Sequence, residues 1–308
     1  MKDAKYTATR SRRQFLKNGA TLAASSFLIP GFTSALAFDT TAAIPSVTLN
    51  NGTKMPILGF GTNTLKGEIG INSVAHAIRS GYRLIDTATI YGNEQFVGEG
   101  IKQSGIDRKE LFVTTKMWVD DYPDPKAAFE TSLKKLQTDY VDLYLLHRPR
   151  GAVKKAWLAM EKLYKEGKIK AIGISNFEPK QIEELLSYAT VKPAVNQIET
   201  HAFYHQYEAI PALKSLGIQH EAWSPLAEGR NQIFSNEVLA RIGKQYNKSN
   251  AQVSLRWHYQ RGIVAIPRSS NQAHIKENLE IFDFELSEKD LKMMEGLDLN
   301  KTQFPEWG

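Results

Sequence analysis

Asp86, Tyr91, Lys116 and His147 fall at or just past the ends of three successive apolar runs: YRLIDTATIYGNE from Tyr82, LFVTTKMW from Leu111 and YVDLYLLHRP from Tyr140. Brought together, these four side chains could protonate a carbonyl oxygen. A phenol is a weak acid with an ordinary pKa of about 10. A neighbouring ammonium favours the phenolate and so makes the phenol a better proton donor, while a carboxylate beside the ammonium keeps it charged. Asp86, Lys116 and Tyr91 are the three parts of such a relay, and His147 can orient the carbonyl or pass the proton. Taken singly, Asp86 could close a turn, Lys116 could be solvated and Tyr91 could be a packing residue, because polar residues at strand ends mostly serve turns. The chemistry therefore depends on elements that gather all four.

The runs that precede these residues are rich in β-branched and aromatic types and bounded by turn signals, which reads as buried parallel strands. Five more runs have the same form: ILGFGTN from Ile57, AIGISNF from Ala171, AVNQIE from Ala194, QHEAWSPL from Gln219 and GIVAIPRSS from Gly262. Helical patterns follow them, at intervals of roughly 30 residues, as a (β/α)8 TIM barrel requires. Active sites of such barrels form at the C-terminal strand ends, where the four residues lie. Ahead of the first strand, VTLNNGTKMPI from Val47 carries Asn51-Gly52, the signal for a two-residue hairpin, which is expected to close the N-terminal end of the barrel. The helical stretch Asn236 to Tyr246 is either the seventh barrel helix or an extra one, and LSEKDLKMMEGL from Leu286 reads as a helix outside the repeat.

Composition excludes several classes. The chain has 308 residues, enough for one barrel domain and little more. Its net charge of +6 is concentrated in residues 1–37, which hold six of the 39 Lys and Arg but only Asp3 among the 33 Asp and Glu. The remainder carries 33 basic and 32 acidic residues, a net of +1, so no nucleic-acid or membrane-surface partner is expected. Cysteine is absent, which excludes disulfides, thiol catalysis and cysteine-based zinc sites. The HAFYH string from His201 falls in a strand-to-helix loop, not on a helix, so no metal site is expected. No G-x-G-x-x-G follows a strand, which removes support for a Rossmann domain.

The basic leader has its own logic. SRRQFLK from Ser11 matches the twin-arginine export pattern, a weakly apolar stretch follows, and Ala35-Leu36-Ala37 fits an A-x-A cleavage site. The expected organisation is a signal peptide over 1–37, a linker over 38–45 and a single barrel domain over 46–308. It predicts a periplasmic protein that uses the twin-arginine machinery, keeps no membrane anchor after cleavage and is a monomer.

From about Pro45 onward the chain resembles the aldo-keto reductases. GFGT, IDTATIYGNE, TTKMW, VDLYLLH, GISNF, NQIE, SPLAEG and IPRSSNQAHIKENLEIFDFELS stand in that family's order. The SPLAEG region is most similar to the bacterial diketogulonate-reductase branch. The resemblance implies NADPH as cofactor, a catalytic tetrad of Asp86, Tyr91, Lys116 and His147 with Tyr91 as general acid, and a small-molecule carbonyl substrate. It also implies that Ser175, Asn176 and Gln197 bind the nicotinamide carboxamide, that Trp223 stacks on the ring, and that Gly61, Thr62, Asp86, Ser224 and Leu226 line the cofactor. Arg268, Ser269 and Ser270 at a helix start suit a 2′-phosphate, with His274, Glu277 and Asn278 further along. His274 stands where arginine is common and offers no bidentate fork, which implies some use of NADH. Asn63 and Arg148 replace aromatic residues common at their positions. With Trp118 as a wall or packing residue and a short tail after Asp298, the substrate pocket is expected to be open, positively charged and compatible with a polar or anionic carbonyl. Two variants of the reading follow: an exported reductase that retains NADP(H) and cycles it between two substrates, and a nucleotide-binding regulatory subunit of the kind that shares this fold. The leader argues against the second.

Overall fold

The computed structural model describes residues 44–307. Arg12, Arg13, the proposed cleavage site and the linker up to residue 43 lie outside the described residues. The first elements are β1 (Ser46–Thr48) and β2 (Lys54–Pro56), paired antiparallel with Val47 opposite Met55. A three-residue loop joins them, rather than the two-residue turn that Asn51-Gly52 suggested. The Leu49 N–H donates to Thr53 O at 2.9 Å, and Gly52 takes the left-handed position at φ 88°. A loop of this length ends on a left-handed residue that glycine fills without strain, so the same dipeptide serves a turn one residue longer.

Eight strands follow: β3 (Phe60–Gly61), β4 (Leu84–Asp86), β5 (Phe112–Met117), β6 (Val141–Leu146), β7 (Ile169–Ser175), β8 (Val195–Glu199), β9 (Gln219–Trp223) and β10 (Val264–Ala265). They are parallel and hydrogen-bonded in chain order. A Leu58–Ala265 bridge joins the last strand to the first, with the Gly59 N–H donating to Ala265 O at 2.8 Å. This is the (β/α)8 barrel. Helices α1 (Gly67–Ser80), α2 (Glu94–Ser104), α3 (Pro125–Leu136), α4 (Val153–Lys165), α5 (Pro179–Leu186) and α6 (Ala209–Leu216) alternate with the strands. Then come α7 (Glu237–Tyr246), α8 (Asn250–Gln260), α9 (Gln272–Glu277) and α10 (Glu288–Glu295). Helix α8 packs on β10 and is the seventh barrel helix, whereas α7 packs on α8 and α10 and is the extra one. No helix among the described residues is long and apolar enough to cross a membrane.

Period-2 alternation decides what fills the barrel. Leu84, Phe112, Leu143, Leu145, Ala171, Val195, Val264 and Ile266 point inward and pack with Leu49 and Met55 of the hairpin. The hairpin caps the lower end: Asn50 Nδ2 donates to Pro193 O and Asn51 Nδ2 to Lys170 O, both at 2.8 Å. Further up the strands the same alternation yields Asp86, His147 and Gln197, two residues beyond Leu84, Leu145 and Val195, and Lys116, four beyond Phe112. The lower interior is therefore apolar and the upper interior polar. At Gly61 the close approach of β10 excludes any side chain, since a Cβ there would sit 2.7 Å from Ile266 O.

Candidate active site

Lys116 is fully buried, and its Nζ donates to Asp86 Oδ1 at 2.6 Å, Thr87 O at 2.9 Å and the Tyr91 hydroxyl at 3.3 Å. Those three bonds use every donor of the ammonium. The second Asp86 oxygen accepts from Gln197 Nε2 at 2.9 Å. Tyr91 closes a short 3-10 turn, Thr89–Tyr91, and Gly92 leaves that turn at φ 62°. The turn is pinned on two sides. Thr89 Oγ1 donates to Asp121 Oδ2 at 3.1 Å, and buried Asn93 accepts from Thr87 Oγ1 at 2.8 Å while donating to Thr62 O at 2.7 Å. His147, one residue past β6, meets the Tyr91 ring edge-on at 5.9 Å between centroids and the Trp118 ring at 5.1 Å. The four residues separated in sequence thus meet at one strand-end layer.

Burial is the largest influence on each group's protonation. For Lys116 burial alone would lower the pKa, but Asp86 and the Tyr91 hydroxyl more than offset it, and the ammonium ends above its ordinary value. For Tyr91 burial raises the phenol pKa, Lys116 pulls it down, and Asp86 and Glu228 add to the rise. The expected tilt toward phenolate is therefore outweighed, and the hydroxyl keeps its proton at neutral pH. His147 falls well below the ordinary imidazole value through burial, with Lys116 and Arg148 adding repulsion, so its ring is neutral.

A cavity of about 390 Å³ opens above the layer. Tyr91, His147, Arg148, Asn63, Gly61, Thr62, Asp86, Ser175, Asn176, Gln197, Trp223, Ser224, Leu226 and Arg268 all line it. Asn176 joins two walls: its Oδ1 accepts from Trp223 Nε1 at 2.8 Å, and its Nδ2 donates to His147 O at 3.1 Å and Ser175 Oγ at 2.9 Å. Trp118 is not in the lining; it packs on His147, with the Arg150 guanidinium 5.7 Å above its ring. Ser269 and Ser270 in the loop into α9, His274 and Glu277 within that helix, and Asn278 just past it also lie outside the lining. There Asn271 Oδ1 already accepts from the Ala273 and His274 N–H groups, at 2.8 and 3.3 Å, so those helix-start donors are occupied within the protein. Arg268 reaches across to Asn63 O at 3.2 Å and to Thr64 Oγ1.

Among the contributors that the sequence reading did not name, three stand out. Trp307 and Phe234 line the cavity, and the tail that carries Trp307 is tied down by Gln303 N–H on Glu199 Oε1 at 2.8 Å and by Phe304 against Trp223 at 5.2 Å. The tail thus contributes Trp307 to the cavity wall. Glu221 is the third. It is fully buried beside Gln197 on the neighbouring strand, and neither carboxyl oxygen completes a hydrogen bond among the described residues. Its place two residues before Trp223, on the same face of β9, was the available signal. No group of three metal-ligating side chains occurs among the described residues.

The fold and this strand-end layer define a barrel oxidoreductase, and comparison with known proteins gives the family. The chain belongs to the Aldo/keto reductase family, whose model matches residues 57–299. It is 50% identical to glyoxal reductase of Bacillus subtilis over 264 residues, which is 84% of this chain and 95% of that protein. It is 40% identical to methylglyoxal reductase DkgA of Escherichia coli K12, covering 84% of this chain and 96% of the relative. The structure of an aldo-keto reductase from Bombyx mori in complex with NADP superposes with a TM-score of 0.80 at 33% identity, covering 86% of this chain and 97% of that one.

Glu221 generates a pH signature. Burial, then Asp86, push its carboxyl from 4.5 up to about 8. Between those values the folded protein holds a proton that the unfolded chain has released, so stability falls as pH rises through the window. Glu221→Gln keeps the shape and removes the charge. Its denaturant midpoint is expected to gain on the wild type from about pH 5 to about pH 8. A difference that stays constant across that range would show an ordinary carboxyl at this position.

Proposed function

We propose that this chain is an NADP-dependent reductase that converts an aldehyde or ketone to an alcohol, with Tyr91 as general acid. The observation that carries the reading is the Lys116 ammonium, bonded to Asp86 and to the hydroxyl of Tyr91, directly beneath a cavity that Tyr91 and His147 share. The cavity suits a nicotinamide end. Trp223 offers a flat, half-buried ring, Ser175, Asn176 and Gln197 offer amide-matching groups, and Gly61 leaves the opposite wall without a side chain. NADPH, when bound, supplies a hydride from the C4 position of its nicotinamide to the carbonyl carbon. Tyr91 donates its proton to the developing alkoxide, Lys116 stabilises the phenolate left behind, and Asp86 holds Lys116 charged. His147, being neutral, offers a ring N–H that fixes the carbonyl oxygen beside the phenol. Arg268 supplies positive charge for the 2′-phosphate, with Ser269, Ser270, His274 and Asn278 along the adenosine end. The relatives named for glyoxal and methylglyoxal support a short carbonyl compound as substrate.

We further propose that the enzyme is exported by the twin-arginine route and acts in the periplasm. The support is the ordered set Arg12-Arg13, Phe15-Leu16 and Ala35-Leu36-Ala37.

Tyr91→Phe should keep NADPH binding, read by fluorescence titration, and lower carbonyl turnover by roughly 10²- to 10⁴-fold. Turnover close to wild type would remove Tyr91 from the proton path. Arg268→Ala should weaken NADPH about tenfold to a hundredfold while changing NADH far less, since a charge-assisted contact is lost for one nucleotide only. Equal weakening of both would place the 2′-phosphate elsewhere. With lysine in place of both Arg12 and Arg13, the protein should accumulate in the cytoplasm uncleaved and active. Cell fractionation that still finds it in the periplasm would rule out this route.

A further inference from the structure

Arg148 differs from the other part-buried arginines of the barrel. Arg108 is paired with Asp142 at 2.8 Å, Arg83 donates to Ile78 O and Tyr82 O, Arg256 to Ile281 O, and Arg261 to His205 O. The Arg148 backbone is equally well held: its N–H donates to the Tyr122 hydroxyl at 3.1 Å, and that hydroxyl donates to its carbonyl at 2.8 Å. Its guanidinium has no such partner. It is half-buried, lines the cavity with Tyr91 and His147, and takes part in no ion pair among the described residues. The charged or polar groups that act on it are Arg150, Tyr91 and Tyr122, with no carboxylate among them. Glu228, the one acid besides Asp86 in the lining, is exposed and hydrogen-bonded by Ser224 Oγ at 3.3 Å.

A partly desolvated cation without a counter-charge costs free energy that an incoming anion would offset. The planar fork of a guanidinium matches a carboxylate bidentately. Arg148 directly follows His147, whose ring lies 5.9 Å from that of Tyr91, so the fork and the proton donor address nearby atoms of one short molecule. We propose that Arg148 is a specificity-determining residue that selects carbonyl substrates carrying a carboxylate a few bonds from the reacting carbonyl. This rests on the reductase reading above and names its substrate class.

The test uses the NADPH-loaded enzyme and two substrates with one skeleton, succinic semialdehyde and its methyl ester. The wild type should show the higher kcat/KM for the free acid. In Arg148→Met the acid-to-ester ratio should fall about tenfold to a hundredfold, as loss of a charge-assisted contact implies. The ratio is read within one protein, so a general folding or packing defect scales both substrates and leaves it unmoved. Arg150→Met, at a residue stacked on Trp118 outside the cavity, should move the ratio much less. An unchanged ratio in Arg148→Met, or a wild type that prefers the ester, overturns the proposal. So does a preference for glyceraldehyde 3-phosphate over succinic semialdehyde that depends on Arg148, because that result places a phosphate on the fork. If the wild type reduces methylglyoxal with NADPH but neither member of the pair, the substrate class fails while the reductase reading stands; if it reduces none of the three, both fail.

Discussion

The ion pair between Asp86 and Lys116, 2.6 Å apart and shielded from water, is the constraint around which the upper barrel is arranged. Removing water from two charges is costly, and such a pair persists only when the remaining donors and acceptors are met; stripping one partner typically costs about 3–5 kcal/mol. Here the accounts of both charges close. Thr87 O and the Tyr91 hydroxyl take the other two donors of Lys116, and Gln197 reaches across the barrel to the free oxygen of Asp86. The Tyr91 phenol is therefore one of the groups that satisfies the pair. Glu221, the other acid at this depth, lies next to Gln197 as a neutral carboxyl. An ionised Glu221 would face Asp86 in a medium of low dielectric, and burial prevents that by keeping its proton in place.

The pair in turn needs a dry, rigid frame. The hairpin closes the bottom, an apolar layer from Leu84 to Ile266 lies above it, and polar residues gather toward the upper ends of the strands. Asn93 then ties the loop after β3 to the turn that carries Tyr91, so that these two sides of the cavity are joined by hydrogen bonds. On the far side the tail does comparable work. Glu199 accepts from Gln303 N–H, Thr302 and His201, which places Phe304 and Trp307 against Trp223. Two distant chain segments thus fix the two walls of one cavity.

Much of this was legible because it depends on local rules. Each strand announced itself as an apolar run, and period-2 alternation along LFVTTKM and VDLYLLH carried Lys116 and His147 inward once the strand ends were known. What was not legible depends on contacts between remote segments. The tail residue Trp307 has no local pattern that points to a barrel mouth, since the tail's ties to remote residues such as Glu199, Trp223 and Arg230 put it there. The Asn51-Gly52 turn had the right residues and the wrong length, because glycine fits a left-handed position in either loop. Near α9, Asn271 Oδ1 accepts from the Ala273 and His274 N–H groups, a cap that the reading of Arg268, Ser269 and Ser270 did not include. Glu221 was hidden by its charge: a glutamate within a strand reads as an outward residue until alternation from Trp223 places it inside.

The protonation pattern is also compatible with the acid role proposed for Tyr91, a phenol held above its ordinary pKa. Its task is to stay protonated until hydride arrival turns a carbonyl oxygen into an alkoxide, a base far stronger than a phenolate. Burial supplies the first requirement and Lys116 the second, because the phenolate that remains lies within hydrogen-bond distance of an ammonium already in place and needing no reorganisation. His147 fits the same scheme only if neutral. A second cation beside Lys116 would be repelled; burial first, and then repulsion from Lys116 and Arg148, lower its pKa, so in the proposed reaction it would orient the oxygen without competing as the proton source. In the reaction proposed above, one buried charge, compensated on every side, would leave the donor role to Tyr91 and the orienting role to His147.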